Sequence, residues 1–387
     1  MNPVSRHILP LSNLQPDESY IEATVQEHHD MTYTLQTTNA WMFTFASEFI
    51  IDLQDTTRLG TILHLLRTHE PSIRSKEFSA ITMPSSQEQL FVHHTKEQPT
   101  IHKIVNILAR GSFATIYEAG SWAIRFPSNL KTKDERIHAE DKCRRAKTYL
   151  TKIHHQGEIL GIESIPKDVS LIDTHTFDQT VVTVSIKAFG NATRRIPVSN
   201  RHLVAHHITQ GLLACITAEI CHLDIKQENI LLYGTKDHRG NMNITKACLC
   251  DFEDAMSLES FSSYMEHCTR THTPSCVLQQ DIKKLSRLQG SSEHFSTFRE
   301  LAYQISIFEM GIVLYELYTQ SEIPVDDDPD TRCIISIDSD AIKTNLMRTK
   351  PSLSPSQQEV ICKMLDIDAM KRPSASQIAQ AFIRDAV

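Results

Sequence analysis

An acid, a cation and an amide stand close together in residues 222–229, and their spacing suits one kind of chemistry. Asp224 is followed two residues later by Lys226 and five residues later by Asn229, just before an apolar run. A carboxylate can accept a hydroxyl proton, an ammonium can neutralise charge on a moving phosphoryl group, and an amide oxygen can bind Mg²⁺. The set therefore indicates phosphoryl transfer, against the alternative of a polar turn between a helix and a strand.

The same segment resembles the catalytic loop of eukaryotic protein kinases, whose pattern is H-R-D-x-K-x-x-N. A second match begins at Asp251, where Asp-Phe-Glu follows an apolar strand and resembles the family's metal-binding D-F-G motif. The resemblance implies that Asp224 is the catalytic base with Lys226 beside it, and that Asn229 and Asp251 bind Mg²⁺. Glu253 replaces the glycine of D-F-G, which removes backbone freedom and adds a negative charge.

Residues 101–126 resemble the opening strands of a kinase, including the glycine-rich loop whose backbone approaches phosphate oxygens. Gly111 is retained and is the expected cofactor-binding glycine, whereas Ala109 and Ala114 replace the other two. Arg125 stands where the family's V-A-I-K strand has the lysine that binds the nucleotide phosphates. Arginine keeps the positive charge but replaces a compact ammonium with a planar fork, so the change is not conservative.

A helix is predicted after this strand, because apolar residues recur at helical spacing between 134 and 153. The resemblance implies that a glutamate on this helix pairs with Arg125. Glu140 is the first candidate for that cofactor-binding pair, and Glu135 is the alternative. The many basic residues of the helix are expected on its solvated face.

Three further segments resemble parts of the kinase large lobe: the lead-in helix 202–220, the buried central helix 308–317 and the closing motif 364–375. Ser306 stands where the family normally has an aspartate. Arg372 of the closing motif is expected to form a buried ion pair with Glu293, at the predicted end of the activation segment.

The resemblance covers residues 101–385 and implies an α+β fold, the bilobal protein-kinase fold. A small β-rich lobe would span about 101–188 and a mostly helical large lobe about 192–385, with ATP between them. Residues 1–100 match no motif and form an N-terminal extension, which is either a small folded unit or a partly disordered arm. Within this extension the pattern predicts a strand at 34–45, a short helix at 60–66 and a polar linker at 75–100.

The composition limits the remaining classes of function. The 387 residues are 40% hydrophobic and carry a formal net charge of −8, which permits two domains but gives no case for binding nucleic acid or membranes. No apolar run approaches the roughly twenty residues of a membrane helix. Nine cysteines lie mostly in apolar segments, which predicts buried thiols in a reducing compartment, the cytoplasm or the nucleus.

The resemblance implies a serine/threonine protein kinase that uses ATP and Mg²⁺ and acts on protein substrates. Lys226 favours the serine/threonine type over the tyrosine type. The altered glycine loop resembles that of kinases encoded by large DNA viruses, herpesviruses especially, which would place the protein in a host cell. The alternative is a pseudokinase that serves as a binding scaffold, because Ala109, Ala114, Arg125 and Glu253 weaken the nucleotide site.

Leu223 bears on regulation. Kinases that are activated by phosphorylation of the activation segment usually have an arginine before the catalytic aspartate, and this arginine receives the phosphate. Leucine cannot pair with a phosphate. The sequence therefore predicts activity that does not depend on phosphorylation of this segment.

Overall fold

A computed structural model was obtained for the full chain. It describes residues 4–10, 20–27, 33–37, 42–45, 62, 78–82, 89–93, 100–104, 106–110, 114–127, 132–162, 170–173, 181–188, 190–193, 196–236, 242–257, 281, 295–327, 334–349 and 353–383. The chain divides into two compact units. The first comprises Met1–Cys143 with Asp168–Lys187, and the second comprises Arg144–Lys167 with Ala188–Val387.

The first unit contains two β-sheets. A seven-stranded sheet has the order β1-β2-β3-β4-β7-β6-β5, and its neighbouring strands are antiparallel except for β4 and β7. Its strands are β1 (Val4–Pro10), β2 (Tyr20–Glu27), β3 (Tyr33–Thr37), β4 (Met42–Phe45), β5 (Phe78–Thr82), β6 (Gln89–His93) and β7 (Thr100–Lys103). An antiparallel five-stranded sheet has the order β11-β12-β10-β9-β8. Its strands are β8 (Asn106–Arg110), β9 (Ala114–Ala119), β10 (Trp122–Pro127), β11 (Ser170–Asp173) and β12 (Val181–Ile186).

The polar linker predicted for residues 75–100 is wrong, because β5 and β6 lie within it and pair with each other. Leu90, Phe91 and Val92 of β6 are fully buried. Three apolar residues among many polar neighbours are too short a pattern to predict a strand. The strand predicted for 34–45 is two strands, β3 and β4. The helix predicted for 60–66 is described only at Ile62, which is helical and buried.

The two sheets of the first unit share a hydrophobic cluster. Phe91 of β6 packs with Ala119 of β9 and Ile124 of β10, and Trp122 lies against them. The Trp122 ring centroid is 6.4 Å from that of Phe91 and 4.9 Å from that of His93, the latter edge-on. The described part of the extension is therefore folded and packs on the five-stranded sheet.

Helix α1 (Lys133–Leu160) begins with a reciprocal cap. The Thr132 backbone N–H donates to Glu135 Oε2 at 2.9 Å, and the Glu135 N–H donates to Thr132 Oγ1 at 3.1 Å. The predicted apolar stripe is buried at Cys143, Ala146, Leu150 and Ile153. Most of its basic residues are exposed, as predicted: Arg144, Arg145, Lys147 and Lys152.

The second unit is mostly helical. Besides the end of α1 it contains α2 (Val198–Thr217), α3 (Phe295–Thr319), α4 (Ser339–Arg348), α5 (Pro355–Met364) and α6 (Ala375–Ala381). Its small antiparallel sheets combine β13 (Gly190–Asn191), β15 (Ile230–Lys236) and β16 (Met242–Leu249), then β14 (Ile220–Cys221) with β17 (Met256–Ser257), then β18 (Val325–Asp327) with β19 (Ile334–Ile337). The predicted α+β class, with a β-rich unit and a mostly helical unit, is confirmed.

Helix α3 forms the buried centre of the second unit. Every residue from 301 to 315 is buried, which confirms the central helix predicted at 308–317. Gly311 allows close packing against the end of α5, because a Cβ there would lie 2.9 Å from Met364 Cβ and 3.1 Å from Leu365 Cδ2.

Four of the described cysteines are buried, as predicted, and none of the six described cysteines is in a disulfide. Burial raises the pKa of the Cys215 thiol to about 12 and that of Cys248 to about 11, so neither forms a reactive thiolate near neutral pH. Within the described ranges, no helix is both long and apolar enough to span a membrane.

Arg372 is held in a fully buried network. Its Nη2 lies 2.8 Å from Asp281 Oδ2, and the two side chains are 0% and 1% exposed. Its Nη1 donates to the Gln304 carbonyl at 2.7 Å, and the guanidinium lies 4.9 Å from the ring centroid of Phe308. These contacts fasten the segment after α5 to α3.

The predicted buried ion pair of Arg372 is present, but its partner is Asp281. The expected partner, Glu293, lies outside the described residues. The sequence predicts Glu293 from its distance to α3 along the chain. The length of an irregular connection does not show which of its acids is buried, so Asp281 is not predicted.

Replacing Asp281 should test this correction. Asp281→Ala leaves the buried guanidinium of Arg372 without its counter-charge, and we expect a loss of about 3–5 kcal/mol in unfolding free energy. Urea unfolding with the second unit as the observed transition measures the loss. Glu293→Ala is the comparison variant, and we expect it to lose less unfolding free energy than Asp281→Ala, because Asp281 is the acid that contacts Arg372. A large loss in the Glu293 variant, with none in the Asp281 variant, would restore the original pairing.

Candidate functional site

Two short strand pairings in the second unit position the segment 222–229. Helix α2 ends at Thr217, and the chain turns at Glu219, which has a φ of 62°, into β14. Strand β14 pairs with β17, and β15 pairs with β16. Asp224 lies between β14 and β15, and Asp251 lies between β16 and β17. The two pairings therefore bring the two connections that contain these acids close together.

The Asp224 carboxylate contacts both of the residues predicted to act with it. Lys226 Nζ lies 2.9 Å from Asp224 Oδ1 and 2.7 Å from Oδ2. Asn229 Nδ2 donates to Asp224 Oδ2 at 2.7 Å and to the Asp224 carbonyl at 2.9 Å. The Asp224 side chain is 24% exposed, so a substrate hydroxyl can reach a carboxylate that is already oriented.

Lys226 is charged at neutral pH. Partial burial alone would lower the pKa of Lys226, but the hydrogen bond and the charge of Asp224 outweigh it and raise this pKa above its usual value. A permanent cation beside Asp224 is suited to a reaction in which negative charge moves between oxygen atoms.

Cys250, the residue before Asp251, is bound to the segment 222–229 through both its backbone N–H and its carbonyl. The Cys250 N–H donates to the Asn229 carbonyl at 2.9 Å, and the Cys250 carbonyl accepts from His222 Nε2 at 2.9 Å. Asp251 itself adopts a φ of 64°, a left-handed conformation that aspartate tolerates better than most residues. Phe252 is 3% exposed and packs inward, as predicted.

His222 supports this arrangement as a neutral ring. Its centroid lies 4.6 Å from that of Phe252. Burial lowers the pKa of His222, and the charges of Asp251 and Asp224 oppose this only in part. A neutral ring with its proton on Nε2 supplies the donor that the Cys250 carbonyl requires.

Glu253 fits its position without the freedom of glycine. Leu223 and Asp251 have a left-handed φ, whereas Glu253 does not. The backbone conformation after Phe252 is therefore open to any residue, and the change from glycine leaves chiefly its negative charge to be accommodated.

Asn229 and Asp251 suit Mg²⁺. Both Asp224 contacts of Asn229 are made by Nδ2, so Oδ1 is the end of the amide that can bind a cation. Within the described ranges, no three His, Cys, Asp or Glu side chains gather into a metal-ligand set. One carboxylate and one amide are a small ligand set, as is usual for Mg²⁺ that is also bound by substrate phosphates.

Arg125 lies in the first unit, in the middle of β10 between β9 and β12, and is half-buried. Of the two candidate glutamates on α1, Glu135 is exposed and caps the helix. Glu140 is half-buried. The ion pair between Glu140 and Arg125 stays a prediction.

The glycine-rich loop is described only at its borders. Ala109 is exposed at the end of β8, and Ala114 is buried at the start of β9. Gly111 lies outside the described residues, so its role in binding phosphates stays a prediction.

Two polar contacts from α3 were missed by the sequence reasoning. Glu309 is 1% exposed, and its Oε2 lies 3.5 Å from the backbone N of Ile225. Gln227 donates from Nε2 to Glu316 Oε2 at 2.8 Å. The sequence feature that indicates such a contact is the acid within the apolar run 307–314, because a fully buried glutamate requires a partner.

Leu223 is buried in an apolar cluster. It is 4% exposed and packs with residues of α3, β14 and β17, among them Leu301, Ile305 and Met256. Its φ of 65° is unfavourable for a leucine, at a typical cost of about 1–3 kcal/mol. The packing of its side chain helps to hold this backbone conformation.

Comparisons with known proteins agree with these motifs. A family model, the protein kinase domain, matches residues 102–382. The serine/threonine-protein kinase par-4 of Caenorhabditis briggsae is 23% identical over 248 residues, which are 62% of this chain and 33% of that protein. A probable serine/threonine-protein kinase of Dictyostelium discoideum is 26% identical over 170 residues, 44% of this chain and 17% of that protein. The matched region thus spans a third or less of these curated relatives.

Proposed function

The chain belongs to the protein kinase family, and from this premise we propose that it is an active serine/threonine kinase. It would transfer the γ-phosphoryl group of ATP to hydroxyl groups of protein substrates. The observation that carries the proposal is the contact of Asp224 with both Lys226 and Asn229 at 2.7–2.9 Å, in a partly exposed position.

Each residue of this group has a chemical role in the proposal. Asp224 orients the substrate hydroxyl and accepts its proton, and Lys226 balances the charge of the transferred group. Asn229 and Asp251 would hold Mg²⁺, which when bound neutralises charge on the phosphates. In the first unit, Gly111 and Arg125 would bind the nucleotide, with Glu140 orienting the arginine.

A pseudokinase is the second candidate, and specific substitutions favour it. Ala109 and Ala114 stand at expected glycine positions, and Arg125 stands at the expected lysine. These changes affect nucleotide binding, whereas the predicted base and metal ligands are all present. We therefore favour the enzyme. Its action inside a cell is supported by the buried cysteines, which form no disulfide among the described residues, and the herpesvirus-like origin stays a prediction.

Asp224→Asn should remove transfer without unfolding the protein, because it deletes the proton acceptor and changes little volume. We expect transfer to fall by about 10²–10⁴-fold. The assay combines pure protein, labelled ATP, Mg²⁺ and generic protein substrates, with circular dichroism as the check on folding. Asp254→Asn, which alters an exposed carboxylate nearby, is the matched control and should behave like the wild type. Full Mg²⁺-dependent activity in Asp224→Asn would refute the assignment.

Arg125 can be tested through its dependence on ATP. Arg125→Lys should be tolerated or should raise activity, because it supplies the compact cation common in the family. Arg125→Ala should raise the KM for ATP and lower kcat, since the phosphates lose a positive partner. Steady-state kinetics over a range of ATP concentrations measure both constants. An unchanged KM in Arg125→Ala would show that another cation, such as Lys131 or Lys133, binds the phosphates.

Kinase activity should not depend on phosphorylation of the residues that follow Asp251 in the chain. Leu223 packs into an apolar cluster where an arginine would otherwise receive a phosphate. Phosphatase-treated protein should therefore transfer phosphate as fast as untreated protein. Mass spectrometry would confirm dephosphorylation, including at Ser257 and at the hydroxyl residues that follow it. A large loss of activity that a phosphate mimic restores at one of these residues would contradict the prediction.

A further inference from the structure

Glu309 is an acid in the most buried part of α3. It is 1% exposed, and each of its neighbours in the helix from 307 to 313 is buried as well. An unpaired carboxyl group in such a place is costly to bury. A specific contact therefore has to offset this cost.

The contact is with the backbone that follows Asp224. The Ile225 N–H donates to Glu309 Oε2 at 3.5 Å, and Ile225 is only 2% exposed, so water does not offer this N–H an alternative acceptor. On the other side of the same peptide group, the Asp224 carbonyl accepts from Asn229 Nδ2 at 2.9 Å. The peptide between Asp224 and Ile225 is thus held at both its oxygen and its N–H.

Fixing this peptide matters because the backbone just before it is strained. Leu223 adopts a φ of 65°, and such a conformation persists only where its surroundings hold it. Because this peptide is bonded to the Asp224 Cα, a displacement of the peptide would also displace the Asp224 side chain. The acceptor on α3 opposes that displacement.

We propose that Glu309 is a positioning residue, which fixes the peptide after Asp224 and thereby aims the Asp224 carboxylate at the substrate hydroxyl. The inference rests on the proposed kinase activity. It adds a residue that touches neither nucleotide nor substrate and acts through the backbone of the catalytic segment.

The required property of Glu309 is its acceptor oxygen and not its charge. Burial raises the pKa of Glu309 to about 8, the Ile225 N–H and Lys226 oppose this shift, and the charge of Asp224 adds to it. The carboxyl group is therefore mainly uncharged near neutral pH. Glutamine has nearly the same shape and a carbonyl oxygen that can accept from the Ile225 N–H. We therefore expect Glu309→Gln to keep the function of the residue.

Three variants of the full chain separate these roles. Glu309→Gln keeps the acceptor, and Glu309→Met keeps the approximate volume but removes it. Ser306→Ala is the control, because Ser306 is buried one turn earlier on α3 and its hydroxyl has no hydrogen-bond partner among the described residues. Each variant is examined for kcat, for the KM for ATP, for thermal stability and for hydrogen exchange of the Ile225 amide.

We expect Glu309→Met to lower kcat by about 10–10²-fold, the size of effect that a small misplacement of a catalytic group produces. Its KM for ATP should stay within about twofold of the wild-type value, because nucleotide binding does not use this contact. Its Ile225 amide should exchange at least about tenfold faster, as expected for a lost hydrogen bond. Glu309→Gln and Ser306→Ala should resemble the wild type in kcat and in exchange.

Several results would overturn the inference. One is unchanged exchange of the Ile225 amide in Glu309→Met, and another is a wild-type kcat in that variant. Loss of kcat in Glu309→Gln as severe as in Glu309→Met would show that the acceptor oxygen is not what matters. If the wild type itself transferred no phosphate, the proposed function would fail, and the exchange data would still report whether Glu309 holds the peptide.

Discussion

The burial of α3 in the second unit is the constraint on which the candidate site depends. Because this helix is enclosed over 301–315, groups attached to it have fixed positions, and three of them hold other segments. Glu309 accepts from the backbone beside Asp224, and the Gln304 carbonyl and the Phe308 ring hold Arg372. The same helix therefore supports the segment 222–229 and the segment after α5, and Gly311 allows close packing against the end of α5.

The candidate site around Asp224 has to meet two opposing requirements. Asp224 must be accessible, yet its direction must not vary. Its side chain is 24% exposed at the edge of the core, and contacts with Lys226 and Asn229 fix its direction. Behind it, His222 remains neutral and connects the segment to the backbone at Cys250. The left-handed φ values of Leu223 and Asp251 show that the backbone is strained beside Asp224 and at Asp251.

The sequence predicted those features that depend on local spacing. The segment 222–229, the acid at Asp251 and the buried helix around Phe308 are short patterns whose geometry follows from neighbouring residues, and the structure brings the first two together. Partners across long connections were harder. The sequence does not distinguish Asp281 from Glu293, and the helix motif that contains Glu309 does not indicate its contact with Ile225. Strand β6 was hidden because its few apolar residues pack against another sheet, a property of tertiary structure rather than of local pattern.

We infer that Asp224 and Asn229 act as one unit in the proposed phosphoryl transfer, since Asn229 Nδ2 lies 2.7 Å from Asp224 Oδ2. A double-mutant cycle on kcat tests it most directly, with Asp224→Asn, Asn229→Ala and the double variant assayed under saturating MgATP. Residues that act together show strongly non-additive losses, so we predict that the double variant is no slower than the slower single variant. Losses that multiply in the double variant, or a single Asp224→Asn variant with wild-type kcat, would contradict the claim.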